Sequence, residues 1–305
     1  MGNKSAVFPL QLLGFDVDII NSVHFSNHTG HPHGWEGDVL DGTQLTKLLN
    51  GLERNSLLSE AGFLLTGYIG SQSFLLSVKN VLQTLRKKST SQSSVKYICD
   101  PVLGDGGKFY VPPELVQVYK TELIPMADVV TPNQFEVEQL TGISVKTVVD
   151  AKLACEKLHN MGPSLVFITS MIINESTNQH DYKDGRATSL AESIAIFASS
   201  RSSEPNSTNE MWRIDSPILP GSYTGTGDLC AALILAWTEE HPNDLALAME
   251  KVIGTMHAVI QRTAKASILN EDKKMDSVAS IELKLIQSKK DIENPERTFK
   301  AKKVL

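Results

Sequence analysis

Short β-branched runs alternate with amphipathic stretches along most of the chain, and this alternation restricts the fold more than any other feature. Val17-Asp18-Ile19-Ile20-Asn21-Ser22-Val23 reads as a strand running into a polar loop. Phe63-Leu64-Leu65, Lys96 to Val102, Val129-Val130-Thr131 and Leu165-Val166-Phe167-Ile168-Thr169 read the same way. Between them Leu45, Leu48, Leu49 and Leu52 recur at helical spacing. Leu75, Val78, Leu82 and Leu85 do so again, ahead of Arg86-Lys87-Lys88 in a last turn where the helix dipole favours cations. A further helix with Leu153, Ala154 and Leu158 stops at Met161-Gly162-Pro163. Strands separated by helices of this length make an α/β fold, with a parallel sheet covered on both faces.

Length and charge narrow the function. The 305 residues, 41% hydrophobic and 21% charged, suit a single globular domain over residues 1–305 with a sizeable core. From 29 Lys+Arg and 35 Asp+Glu comes a net charge of -6, which argues against nucleic acid or an acidic membrane surface as a partner. No run approaches the roughly 18 apolar residues of a membrane span. Met1 to Ser5 lead into no signal-peptide core, and Ala6 stands where myristoylation needs Ser or Thr. Cys99, Cys155 and Cys230, odd in number and scattered, suit a reducing compartment, so a cytoplasmic protein is expected. The pattern degrades between Ile172 and Asn209, and the Ser-rich stretch 199–209 reads as a mobile loop, as does Ser89 to Ser94.

Ligands of such sheets bind at the carboxyl ends of the strands. Polar residues gather there: Ser26 to Thr29, Tyr68, Asp100, Asp105, Thr131-Pro132-Asn133 and Thr169-Ser170. The plainer alternative is that loops are polar anyway. The turn Gly221-Ser222-Tyr223-Thr224-Gly225-Thr226-Gly227-Asp228 precedes an Ala/Leu-rich amphipathic helix. Its glycines permit positive φ and aim backbone N–H groups at one point at a helix start, where developing negative charge is stabilised. The same dipole favours the carboxylate form of Asp228, fitting it to accept a proton. A plain helix-capping Asp is the alternative. Neither a P-loop nor a Gly-x-Gly-x-x-Gly fingerprint occurs. His24, His28, His31 and His33 crowd into one loop with no common zinc spacing and no nearby cysteine, so a polar substrate loop is the better reading.

Longer stretches then carry a resemblance. Val7 to Phe15, Asn21 to Gly30, Leu65-Thr66-Gly67-Tyr68, Cys99 to Asp105, Tyr110-Val111-Pro112, Thr131 to Glu136, Ile168-Thr169-Ser170, Gly225 to Asp228 and the tail Leu285 to Ile292 resemble the pyridoxal kinases of the ribokinase-like superfamily. The resemblance runs from about Gly2 to Leu305 and is loose only between Ile172 and Tyr223. It implies a three-layer α/β/α fold with a central, mostly parallel sheet. It also implies ATP-dependent phosphorylation of the 5′-hydroxymethyl group of pyridoxal, pyridoxine or pyridoxamine. By that likeness Asp228 is the base, and the N–H groups of Gly225, Thr226 and Gly227 form the anion hole. Val23, Phe25, His28, Thr29 and Tyr68 hold the vitamin. Asp100, Asn133, Glu136, Thr169, Ser170, Thr226 and Gly227 hold ATP, and Asp100, Asp105, Thr131 and Glu136 handle the metal. Mg²⁺ or another divalent cation accompanies ATP, with K⁺ or Na⁺ beside the phosphates, and the family forms homodimers.

The sequence departs from the family at its start. The family's first strand and the Ser that holds the pyridine ring have no counterpart here, and His31 stands where the family has an aromatic residue. A strand of that kind is central in a doubly wound sheet, so apolar neighbours and orphaned ladder groups are expected where it is missing. Three readings follow: a working pyridoxal kinase, a shortened isoform or pseudoenzyme that binds ATP or vitamer without efficient turnover, and a related kinase of hydroxymethyl heterocycles or sugars. The long substrate-loop match at Asn21 to Gly30 disfavours the last.

Overall fold

The computed structural model describes residues 2–89, 94–173, 193–202, 209–268 and 282–304. Helix α1 (Gly2–Leu12) is followed by the hairpin β1 (Val23–Phe25) and β2 (Gly37–Val39), then α2 (Gly42–Arg54), β3 (Phe63–Thr66), α3 (Gln72–Lys88) and β4 (Lys96–Cys99). A small hairpin, β5 (Gly104–Asp105) and β6 (Lys108–Phe109), leads to α4 (Leu115–Val118), β7 (Val129–Val130), α5 (Gln134–Thr141) and α6 (Val148–Met161). The rest comprises β8 (Leu165–Met171), β9 (Ser193–Ser200), β10 (Glu210–Pro217), α7 (Thr226–Glu240), α8 (Leu245–Ile268), α9 (Lys289–Glu293) and β11 (Lys302–Lys303).

Seven strands form the central sheet in the order β11-β10-β9-β8-β7-β4-β3. The pairs from β3 to β8 are parallel and those from β8 to β11 antiparallel, so only β9 and β11 run against the common direction. The sheet's alternation builds the layers. Tyr97 and Cys99, Val130, Val166 and Ile168, and Ala195 and Phe197 turn to one face, packing with Leu75, Leu82, Leu140 and Leu158 from α3, α5 and α6. Ile98, Val129, Phe167, Ile196 and Ala198 turn to the other, packing with Leu10, Leu229, Leu233 and Met249 from α1, α7 and α8. The expected three layers are present.

Several boundaries differ from the sequence reading. Ser199 and Ser200 close β9, so the expected 199–209 loop starts two residues later, and it ends as expected where Glu210 opens β10; residues 203–208 lie outside the described residues, as do 90–93. Residues 193–200, in the stretch where the pattern degraded, form a long strand with a mostly buried centre. The strand expected over Val17–Val23 is absent: only Val23 enters a strand, and β1 pairs with β2 rather than with the main sheet. Among the described residues no strand of the main sheet pairs with this segment, and extended chain becomes sheet only where a ladder partner exists.

The same cause governs the edge. Among the described residues β3 pairs with β4 alone. Its Phe63, Leu64 and Leu65 are only half-buried, and nearby Ile19 is 52% exposed. β3 is thus the end strand of the described sheet, with apolar residues only partly covered.

Candidate active site

The strands' carboxyl ends and the start of α7 converge on one gap. Gly225 caps α7 at φ +89°, and a Cβ there would collide with Ser5 Oγ of α1, so glycine is required both for the left-handed backbone and for space. Thr226, Gly227 and Asp228 form the first turn that follows.

Asp228 is walled by glycines. A Cβ on Gly67, just after β3, would stand 3.2 Å from Asp228 Oδ1, and one on Gly2 would stand 3.1 Å away. Neither glycine was singled out as a site residue from the sequence, although Gly67 lies inside the matched stretch Leu65 to Tyr68. Burial raises the Asp228 carboxyl above its ordinary value. That corrects the expectation that the helix dipole would favour its ionised form: desolvation outweighs the dipole here. A raised carboxylate is the better proton acceptor near neutral pH.

Asp100 follows β4 and faces the same gap. It is 5% exposed; its N–H donates to the Thr66 carbonyl at 3.0 Å, and its Oδ1 accepts from Thr131 Oγ1 at 3.3 Å. Asp100 Oδ2 is buried with no hydrogen-bond partner, 3.8 Å from where a Gly227 Cβ would lie. Burial, then the carboxylates of Glu136 and Asp228, push its acid well above the usual range.

Glu136 is turned inward. Its Oε2 accepts from Asn133 N–H at 2.9 Å and its Oε1 from Leu103 N–H at 3.0 Å, while Asn133 Oδ1 accepts from Glu136 N–H in a reciprocal cap of α5. Burial raises Glu136 to about 7 against those donors. Asn133 Nδ2 donates to the Gly104 carbonyl at 2.8 Å, which joins α5 to the β5 turn. Both residues reach the site, but their polar atoms brace the loop rather than standing free. Asp105, by contrast, is exposed, with Oδ1 accepting from Gly106 N–H at 2.7 Å. Thr169 and Ser170 sit half-buried at the irregular end of β8, between Ile168 and Met171.

On the opposite wall, β1 presents Val23 and Phe25, whose ring packs on Trp35 at a centroid distance of 4.0 Å. His28 Nδ1 accepts from Gly30 N–H at 3.1 Å, and burial lowers its pKa. Thr29 is exposed, and Tyr68 is half-buried with its carbonyl accepting from Ser22 Oγ at 2.6 Å. Every candidate residue from Val23 to Asp228 lines one continuous cavity of about 1920 Å³. The cavity also takes in Ile253, Met256, His257 and Ile260 of α8, which no sequence signal marked.

The donor set fits a hard divalent cation shared with phosphate. Asp100 Oδ2 is a buried acceptor without a partner, and Asp105 is accessible nearby in the same cavity. Among the described residues no group of three or more His, Cys, Asp or Glu is arranged to hold a metal ion alone. Of the other two expected ligands, Glu136 accepts from the N–H groups of Leu103 and Asn133, and Thr131 Oγ1 donates to Asp100 Oδ1. Carboxylates supplemented by substrate phosphates are the usual Mg²⁺ environment.

Comparison with known proteins fits this geometry. The family model for phosphomethylpyrimidine kinase matches residues 75–267, and the sheet and glycine turn are those of the ribokinase-like kinases. Pyridoxal kinase of Arabidopsis thaliana is 44% identical over 99% of this chain and 90% of its own length, and that of Homo sapiens 40% identical over 99% and 93%. The solved pyridoxal kinase of Leishmania donovani with ADP and pyridoxine superposes with a TM-score of 0.84 at 31% identity, covering 100% of this chain and 95% of the other. The chain belongs to the pyridoxal kinase family.

Among the described residues no helix is long and apolar enough to cross a membrane.

Proposed function

We propose that the protein transfers the terminal phosphoryl group of ATP to the 5′-hydroxymethyl group of pyridoxal, and likewise of pyridoxine and pyridoxamine, yielding pyridoxal 5′-phosphate in vitamin B6 salvage. One observation carries the reading: the Asp228 carboxylate stands at the start of α7 beside the Gly225–Gly227 turn, in the cavity that Val23, Phe25, His28, Thr29 and Tyr68 line. Relatives at 40–44% identity carry this activity in their names, and neighbours were solved with ADP and pyridoxamine or pyridoxine.

Phosphoryl transfer needs positioning and charge neutralisation more than covalent help from the protein. Val23, Phe25 and Tyr68 hold the vitamin's ring, with His28 and Thr29 over its polar edge. Asp228 accepts the proton of the hydroxymethyl group as its oxygen attacks. The N–H groups of Gly225, Thr226 and Gly227 take up the negative charge that develops on the transferred group; each such donor is worth about 10²–10³ in rate. Asn133 and Glu136 fix the loop on the nucleotide side, with Thr169 and Ser170 beside the ribose or phosphates. Asp100 and Asp105 would hold a divalent cation such as Mg²⁺, which would supply charge neutralisation to the triphosphate, with K⁺ or Na⁺ as a monovalent companion. The whole site belongs to one kinase domain. It acts as a homodimer in the cytoplasm, where three buried free cysteines stay reduced.

Among the described residues β3 pairs on one side only, which favours one alternative, binding of ATP or vitamer without efficient turnover. Purified protein incubated with Mg-ATP and pyridoxal decides between them. Formation of pyridoxal 5′-phosphate, followed by absorbance, is expected. Binding of ADP and pyridoxal by calorimetry with no product supports the alternative, and binding of neither ligand sinks both.

A further inference from the structure

Ser5 lies in the interior of α1 and is fully buried, and its hydroxyl has no hydrogen-bond partner. Burying a hydroxyl unpaired costs about 1–3 kcal/mol, so such groups are rare and call for a cause. A nearby acceptor does not hold it: Pro9 follows four residues on and leaves the Ser5 carbonyl without its helical donor, yet the hydroxyl turns the other way, toward α7. Its oxygen occupies the space where a Gly225 side chain would begin, and from that same point Asp228 Oδ2 is 3.9 Å away. The Asp228 carboxylate accepts from its own backbone N–H but from no described side chain. An unused donor and an underused acceptor thus flank the same glycine, in a cavity wall that α1 contributes through Gly2.

We infer that Ser5 is a positioning residue for Asp228: its hydroxyl donates to the Asp228 carboxylate once nucleotide fills the glycine turn, fixing the acid for proton transfer. The inference rests on Asp228 being the base proposed above. The unpaired state is then the resting state, and its cost is offset on binding. A serine kept only for packing would have been served better by alanine, which fills nearly the same space without an unpaired donor.

The test pairs Ser5→Ala with Asp228→Ala in a double-mutant cycle, read as urea midpoints with ADP and Mg²⁺ bound, beside steady-state kinetics of Ser5→Ala. Three results are expected. Ser5→Ala without ligands unfolds at no lower urea than the parent. With ADP and Mg²⁺ the two substitutions are non-additive. Turnover of Ser5→Ala falls at least five-fold while the KM values for ATP and pyridoxal stay within two-fold. Additive midpoints overturn the inference whatever the kinetics, as does a ligand-free Ser5→Ala protein that is clearly less stable with unchanged kcat, the mark of a packing role. Asp228→Leu, close to the acid in shape and without an acceptor, provides a second cycle if Asp228→Ala folds poorly. A parent protein that makes no product overturns the proposed function alone, because the cycle reads the contact without turnover.

Discussion

Gly67 and Asp228 touch across the site: a Cβ on Gly67 would lie 3.2 Å from Asp228 Oδ1, so the turn after β3 and the first turn of α7 meet at one carboxylate. This contact sets how the acid can be tested. Asp228→Asn keeps the shape and removes the base, so kcat should drop by about 10²–10⁴, the usual share of a general base, with ADP affinity little changed. Because burial raises the Asp228 carboxyl, parent kcat should fall as pH drops through a value above the ordinary carboxylate range. An acid limb at the ordinary value, or an Asn variant with normal turnover, removes Asp228 from its role.

Tyr68 lines the part of the cavity proposed to take the vitamin and takes no part in the loop that Asn133 and Glu136 brace. Tyr68→Ala should raise the KM for pyridoxal about ten-fold or more, the effect of losing an aromatic contact of roughly 1.5 kcal/mol, with the KM for ATP nearly constant. Equal changes in both constants would count against the assignment of the two ends.

Glu136 shapes the end of the cavity proposed to take the nucleotide, through backbone donors. Glu136→Ala strands the N–H groups of Leu103 and Asn133 and removes the Glu136 half of the reciprocal cap of α5, while Asn133 Oδ1 still accepts from the backbone N–H of residue 136. A loss of about 2–4 kcal/mol is expected from those terms together, accompanied by a raised KM for ATP. Chemical denaturation gives the first number. A variant as stable as the parent would mean that water replaces the carboxylate without loss.

His159 supplies a pH signature outside the site. Buried at the end of α6, it sets Nε2 2.9 Å from Ser199 Oγ and Nδ1 2.9 Å from the Pro163 carbonyl, joining that helix to β9. Burial lowers its pKa from 6.5, so below that value the unfolded chain binds the proton more readily than the folded one. Its stabilising share is therefore full above about pH 6.5 and lost as the pH falls. Urea midpoints should decline from pH 6.5 toward pH 5 more steeply in the parent than in His159→Gln; parallel declines would assign the acid sensitivity elsewhere.

Much of the candidate site's local geometry was legible in the chain. Asp228 behind Gly225 and Gly227, Asp100 at the end of an apolar strand, and Asn133 followed three residues later by Glu136 are local patterns, and local geometry makes them readable. Val17 to Val23 shows where local pattern fails. Its β-branched residues suit a strand, but no neighbouring ladder accepts them, and the segment stays irregular. Gly2, Ser5 and the α8 wall carry no local mark, because their proximity to Asp228 depends on how α1, α7 and α8 pack.

Periodicity and turn chemistry in the sequence alone determined the α/β class, the covered parallel strands and the glycine turn that opens α7, since each depends on neighbours within a few residues. The tertiary structure decided the rest. Asp228 became a raised acid through burial between two glycines distant in the chain, Glu136 was taken by backbone N–H groups of another turn, and β3 was left at an open edge. Desolvation and strand pairing are properties of what surrounds a residue, and only the folded chain supplies those surroundings.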